Sequence, residues 1–187
     1  MRSTAEAVRA RVLDAARREF AAYGLAGARI DRIAREASAS KERLYAYFAD
    51  KQALFEAVLD LDTQEFFEAA TLDPADVPAF VGAVFDHALS TPAHHRMISW
   101  GRLDGFVFRP PDGVSGPEAK LAALRQAQQL GLVDPCWDAP TLIQLLFSLG
   151  LSWAQAPTRH SGENDAAVIR AARDAAVEAA RRVIAPR

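Results

Sequence analysis

The stretch from Ile30 to Lys51, IDRIAREASASKERLYAYFADK, constrains this chain more than any other. Ile30, Ile33, Ala34 and Ala37 are spaced i, i+3, i+4, i+7, which makes one apolar helix face. Ser38-Ala39-Ser40 follows, small residues that suit turns and N-caps better than helix interiors. A second helix then runs from Lys41 to Phe48, with Leu44 and Phe48 on its inner side. Helices of about two turns are not stable alone. The pattern therefore predicts a helix-turn-helix that must pack on something longer.

The longer partner precedes it. Ser3-Thr4-Ala5-Glu6 is a capping-box pattern. Val8, Val12, Ala15, Ala16 and Phe20 then share one face. Gly24 stands where a helix would end on a left-handed residue, so the first helix should span about Thr4 to Tyr23. Leu25 to Arg29 is a short link. The second helix has a weakly marked start, with Ala28 where Ser, Thr or Asp would cap better and Asp31 and Arg32 compensating only in part. Ser40 should cap the third helix, and Asp50 a fourth that carries Leu54, Val58, Leu61, Phe66 and Phe67 to about Thr71.

The rest also reads as helix. Two prolines break the chain near Asp73–Pro78, and Val77 to Leu89 is a fifth helix. A sixth is expected from about Ala93 to Phe106, and a loop at Arg109-Pro110-Pro111-Asp112-Gly113. Ser115-Gly116-Pro117-Glu118 restarts a helix that stops at Gly131. Asp138 can cap the next, with Pro140 in its first turn. This helix, Ala139 to Ala154, is apolar nearly all round, which suggests a subunit contact. After a polar loop at Pro157–Gly162, the final helix spans Glu163 to Val183 with a stripe of small residues.

Charge is unevenly spread. Residues 1–51 hold 11 Lys and Arg against 7 Asp and Glu, while the remainder holds 11 against 17. A basic N-terminal quarter on an acidic body fits a nucleic-acid-facing end. Half the residues are hydrophobic, enough for a real core. The one cysteine, Cys136, excludes an internal disulfide and a cysteine-rich zinc site, and reads as a small packed residue. No apolar run reaches the length of a membrane span, so a soluble, cytoplasmic protein with no membrane partner is expected. His87, His94, His95 and His160 fall in no metal-ligand or catalytic spacing and read as surface or helix-start residues. No cofactor, metal site or enzymatic activity is called for.

At Phe20 and Gly24, then Ile33-Ala34, then Leu44-Tyr45-Ala46-Tyr47-Phe48, then Lys51 and Leu54, the chain resembles the DNA-binding domain of the tetracycline-repressor (TetR) family. The resemblance covers about residues 5–60. It departs at Ala28-Arg29, where the family often has threonine, and at Ser38, where it often has glycine in the turn. It implies an all-α protein of about nine helices, with a three-helix helix-turn-helix domain over residues 1–50 and a helical effector-binding and dimerisation domain over 51–187. Tyr45, Tyr47 and Lys51 are then the expected phosphate-backbone clamps, and Lys41, Glu42, Arg43 and Ala46 the expected base readers; Arg29 and Ser40 complete the DNA-binding set.

Aromatic residues of the later helices would either surround an effector cavity or fill an ordinary core. Phe66, Phe85, Trp100, Leu103, Asp104 and Phe147 are the candidate lining, because Trp100 and Asp104 share a helix face. Leu142, Leu145, Leu146, Leu149, Ile169, Arg173 and Ala176 are the expected dimer contacts. The function implied is a homodimeric transcriptional repressor, released from a palindromic double-stranded DNA operator by a small-molecule ligand. The other reading is a helical small-molecule-binding or catalytic module whose helix-turn-helix has lost its role.

Overall fold

A computed structural model describes residues 4–106, 116–155 and 165–187. These hold nine helices and no strand: α1 (Thr4–Gly27), α2 (Ile30–Glu36), α3 (Lys41–Tyr45), α4 (Lys51–Ala69), α5 (Val77–Ser90), α6 (Pro92–Leu103), α7 (Pro117–Gln129), α8 (Ala139–Leu151) and α9 (Ala166–Ile184). The Ser3 capping box, the Arg109–Gly113 and Pro157–Gly162 loops, Ser115, His160 and the expected start of the last helix at Glu163 lie outside the described residues. The all-helical expectation holds, with the fourth and sixth helices ending earlier than predicted, at Ala69 and Leu103.

Packing divides the chain into two compact units. One is Met1–Gln64 with Pro92–Arg109; the other is Glu65–Thr91 with Pro110–Arg187. The first unit therefore takes in most of α4 and all of α6, beyond the residue-50 limit read from the sequence. That limit marks a change of expected role rather than a change of packing.

In the first unit the inner faces foreseen for α1, α2 and α3 meet. Val12, Phe20, Ile33, Leu44, Leu54, Phe55 and Met97 are all fully buried. Phe20 and Phe55 stack edge to face, with centroids 5.0 Å apart. Each such buried phenylalanine stabilises the unit by about 1.5–3 kcal/mol, which far exceeds what helix propensity gives two short helices. Gly24 breaks α1 at φ 64°, ψ −179°, after which one more turn reaches Gly27. This is not the left-handed end expected; it is a conformation that only glycine holds without strain. The Trp100 indole lies over it, 2.9 Å from where a Cβ would stand, and Trp100 Nε1 donates to the Ala21 carbonyl at 3.3 Å.

The second unit is built on α5, which packs against both α8 and α9. Phe80, Val81, Val84, Leu124, Leu142 and Leu146 form its interior. Gly150 brings α8 so close to α5 that a Cβ there would lie 2.6 Å from the Val84 Cβ and 3.0 Å from the Val81 carbonyl. The α7–α8 link closes the far end of α9. The Asp134 amide donates to the Ile184 carbonyl at 2.8 Å, and Trp137 Nε1 donates to that of Val183 at 2.9 Å. These donors satisfy carbonyls that a helix C-terminus otherwise leaves open. Cys136 is exposed, not packed as its sequence neighbourhood suggested. Its amide binds the Asp134 carboxylate, and the hydrogen bond from the thiol to that carboxylate pushes the thiol pKa up.

Candidate nucleic-acid interface

The turn between α2 and α3 is made by Ser38 at φ 51°, among the described residues the sole non-glycine with positive φ. Here the sequence departs from the glycine common in the family it resembles, and the left-handed geometry is kept nonetheless. Ser40 caps α3 as expected, its Oγ accepting from the Arg43 amide at 3.2 Å. The cap fixes how α3 starts, and Leu44, fully buried, fixes which side faces inward. Lys41, Glu42, Arg43, Tyr45 and Ala46 are consequently all exposed.

Their partners differ. Lys41 pairs with Asp31 of α2. The Glu42 carboxyl is held below its ordinary value, first by its own backbone amide and then by the Ser40 hydroxyl, so it stays ionised on the outer face. Arg43 has no ion-pair partner among the described residues, which leaves its guanidinium available to a phosphate or a base edge. Two of the three expected clamps also make contacts back to α1 and its end. Tyr47 donates its hydroxyl to the Ala5 carbonyl at 3.1 Å. Lys51 donates to the carbonyls of Ala26 and Ala28 at 3.4 and 3.3 Å. Lys51 thus holds a cation at the carbonyl end of α1, where the helix dipole favours it.

The start of α2 lacks a side-chain cap from its own Arg29, as the sequence implied. The missing acceptor comes from α1: Glu19 Oε1 takes the Arg29 amide at 2.8 Å, and the same carboxylate takes Arg32 Nε at 2.8 Å. Burial of Glu19 pushes its pKa up, but the Arg32 side chain and the Arg29 amide outweigh that and leave it lowered. Sequence reasoning missed this residue because its partners lie ten and thirteen positions away.

It also missed Asp62. This α4 carboxylate is completely buried, with Arg17 Nε of α1 at 2.6 Å and His94 Nδ1 of α6 at 3.7 Å. His94 stands in the first turn of α6, a helix-start histidine as expected, and is buried there. Buried charges persist only when matched in this way. The three helices that support the helix-turn-helix are thereby joined by a polar contact as well as by apolar packing.

The candidate effector residues divide between the units. Trp100 is a packing residue of α1 and α6, by the Gly24 and Ala21 contacts above. Leu103 is 77% exposed, and Asp104 is exposed in the turn after α6, so neither is enclosed. In the second unit Phe85 is a buried core residue, while Phe66 and Phe147 are half-buried with rings 5.2 Å apart. An open groove of about 290 Å³, lined by Pro74, Asp76, Val77, Leu132, Arg181 and Ile184 among others, contains none of the expected lining residues.

The residues of the expected dimer set differ in exposure. Leu142 and Leu146 are fully buried within the chain itself. Ala176 is also buried, and Arg173 pairs with Asp86 at 2.8 Å. Leu145, 41% exposed, and the half-buried Leu149 and Ile169 keep accessible apolar surface. In an α8 that is apolar nearly all round, the exposed side is marked only by Thr141, Gln144 and Ser148.

Among the described residues no group of histidines, cysteines and carboxylates could hold a metal ion, and no helix is long and apolar enough to cross a membrane. A capped α3 with an outward polar face, set on α1 and α4 and followed by a helical unit, defines a helix-turn-helix DNA-binding regulator. Comparison with known proteins agrees. Residues 12–58 match the family described as bacterial regulatory proteins, tetR family, and residues 76–182 match the tetracyclin repressor-like C-terminal domain. The chain is 35% identical over 152 residues to the HTH-type transcriptional repressor SCO4008 of Streptomyces coelicolor, covering 80% of this chain and 79% of that protein. The crystal structure of SCO4942, a candidate transcriptional regulator from Streptomyces coelicolor, superposes with a TM-score of 0.83 at 41% identity, over 95% of this chain and 98% of that one. A tetR-family regulatory protein from Rhodococcus RHA1 shares the fold, with a TM-score of 0.74 at 20% identity over 98% of both chains. The chain belongs to the TetR family of transcriptional regulators.

Proposed function

We propose that this chain is a homodimeric repressor that reads a palindromic operator through α3 and leaves it when a small molecule binds the helical domain beyond residue 50. The observation that carries the reading is the outward face of α3, where Lys41, Glu42, Arg43, Tyr45 and Ala46 stand free of the core while Leu44 anchors the helix. Arg43 and Lys41 serve as base or phosphate donors. Glu42 either accepts from a cytosine amino group or repels operators that lack one. Tyr45, Tyr47 and Lys51, with Arg29 and the capped Ser40 end of α3, hold the phosphate backbone.

The similarity to a transcriptional repressor supports the negative sign of regulation. A second copy would dock on Leu145, Leu149 and Ile169, and a two-fold axis would place the two α3 helices about 34–36 Å apart, in successive major grooves. The aromatic cluster around Phe66 and Phe147 supports effector binding in the second unit. The transition needs a ligand that binds the released form more tightly by a few kcal/mol.

The test is a mobility-shift titration against genomic fragments at several salt concentrations. Arg43→Ala should weaken the specific complex by about 1–3 kcal/mol, or roughly 5- to 150-fold. Lys51→Ala should weaken all sequences alike and reduce the slope of log K against log salt by about 1. Retardation unaffected by either change, at every salt concentration, would overturn the reading.

A further inference from the structure

We propose that the second unit contains a binding site for an amphipathic organic acid, an aromatic or acyl body with one anionic group, and that Lys120 receives the anion. The proposal rests on reading this unit as the effector-binding part of the protein.

Lys120 lies in the first turn of α7 and is only 6% exposed. Lysine is almost never so buried without a partner. Among the described residues no carboxylate comes within ion-pair distance of it. Its ammonium instead faces two rings, 4.8 Å from the centroid of Phe67 and 5.9 Å from that of Phe80. Burial lowers its pKa accordingly. A ring face returns about 0.5–2 kcal/mol to a cation. Removing an ammonium fully from water costs several kcal/mol, and Lys120 Nζ, which keeps some solvent contact, bears part of that cost. The two rings therefore compensate the charge only in part, and an anion would complete it.

The surroundings supply the rest of a ligand site. Phe67 meets Phe66 at 5.7 Å, and Phe66 meets Phe147 of α8 at 5.2 Å. Phe66, Phe67 and Phe147 are each only half-buried, so the aromatic row leading away from the ammonium is not closed off by the protein itself. One cation at the end of an apolar, incompletely covered row is the pattern of a pocket in which a single polar group orients an otherwise apolar ligand. A neutral or cationic effector would leave the buried charge uncompensated or add to it. The chemistry thus selects organic acids.

The experiment compares two fluorescent probes on the full-length protein: 1-anilinonaphthalene-8-sulfonate and N-phenyl-1-naphthylamine, the same ring body without the anion. Wild type should bind the sulfonate at least about tenfold more tightly, the size of one charge-assisted hydrogen bond. Lys120→Met should remove that preference and leave affinity for the neutral probe within about twofold, while Lys120→Arg should keep the preference. Melting curves by circular dichroism establish that each variant is folded. If wild type binds both probes equally, or if Lys120→Met still prefers the sulfonate, Lys120 is an ordinary core lysine and the inference falls while the effector-domain reading stands. Binding of neither probe to wild type would remove that reading and the inference with it.

Discussion

The two units differ in how they bury a cation. In the first, each buried carboxylate has a cation from another helix: Glu19 meets Arg32, and Asp62 meets Arg17. In the second, Asp134 is likewise buried with Arg187 Nε at 3.9 Å, but Lys120 is buried against ring faces, with no anion beside it among the described residues. A matched pair costs desolvation but fixes geometry, because each partner is expensive to move. An unmatched charge fixes less and leaves affinity for something else. The unit that must present a recognition helix in one orientation uses the first arrangement. The unit proposed to bind a ligand uses the second.

The largest expected effect tests this contrast directly. Asp62→Ala removes the buried carboxylate that joins Arg17 and should destabilise the protein by about 3 kcal/mol, read by urea denaturation. Lys120→Met, which removes an unmatched charge, should be neutral or stabilising by about 1 kcal/mol under the same assay. Equal losses from the two changes would erase the distinction between the units.

Glu19→Gln should cost about 1–3 kcal/mol, since it weakens acceptance from both the Arg29 amide and Arg32. Its pH dependence has a definite sign. The native pKa of Glu19 is lowered, so its stabilisation is fully present above the unfolded glutamate value of about 4.3 and is lost as pH falls through the native value. Wild type should therefore converge on the variant in acid, and a gap between the two that stayed constant from neutral pH to pH of about 3 would show that the carboxylate charge is not what caps α2.

The smallest effect concerns the turn. Ser38→Gly should stabilise by about 0.5–1 kcal/mol, because glycine takes positive φ without the penalty that Ser38 carries. No change, or a loss, would mean that the serine side chain has a compensating contact.

What the sequence made legible follows from how local each cause is. Ser40, Asp50 and Asp138 cap their helices within three residues, and all three caps were foreseen. The inner faces of α1, α2 and α3 were equally readable, because periodicity is a property of the helix alone. Glu19 and Asp62 were invisible for the opposite reason. A carboxylate in a helix reads as solvated until a partner from another helix is placed beside it. The burial of His94 at the start of α6 was hidden for the same reason, since its neighbour is Asp62. Leu142 and Leu146 are set apart from Leu145 and Leu149 only by Thr141, Gln144 and Ser148, a thin polar mark on a helix whose inner side is decided by the position of α5. The outward residues of α3 were legible because Leu44 and the Ser40 cap define the opposite side within five residues.

Gly24 and Trp100 impose a last consequence, on how this sequence can drift. Position 24 is closed twice, once by its backbone angles and once by the indole above it. Shrinking residue 100 removes only the second obstacle, so no change at 100 licenses a side chain at 24. The dependence runs the other way: the flat glycine surface is what gives a broad ring its seat. Substitutions at 100 should accordingly vary among homologues with glycine unchanged at 24, while any chain that has lost that glycine should have rebuilt the end of its first helix altogether.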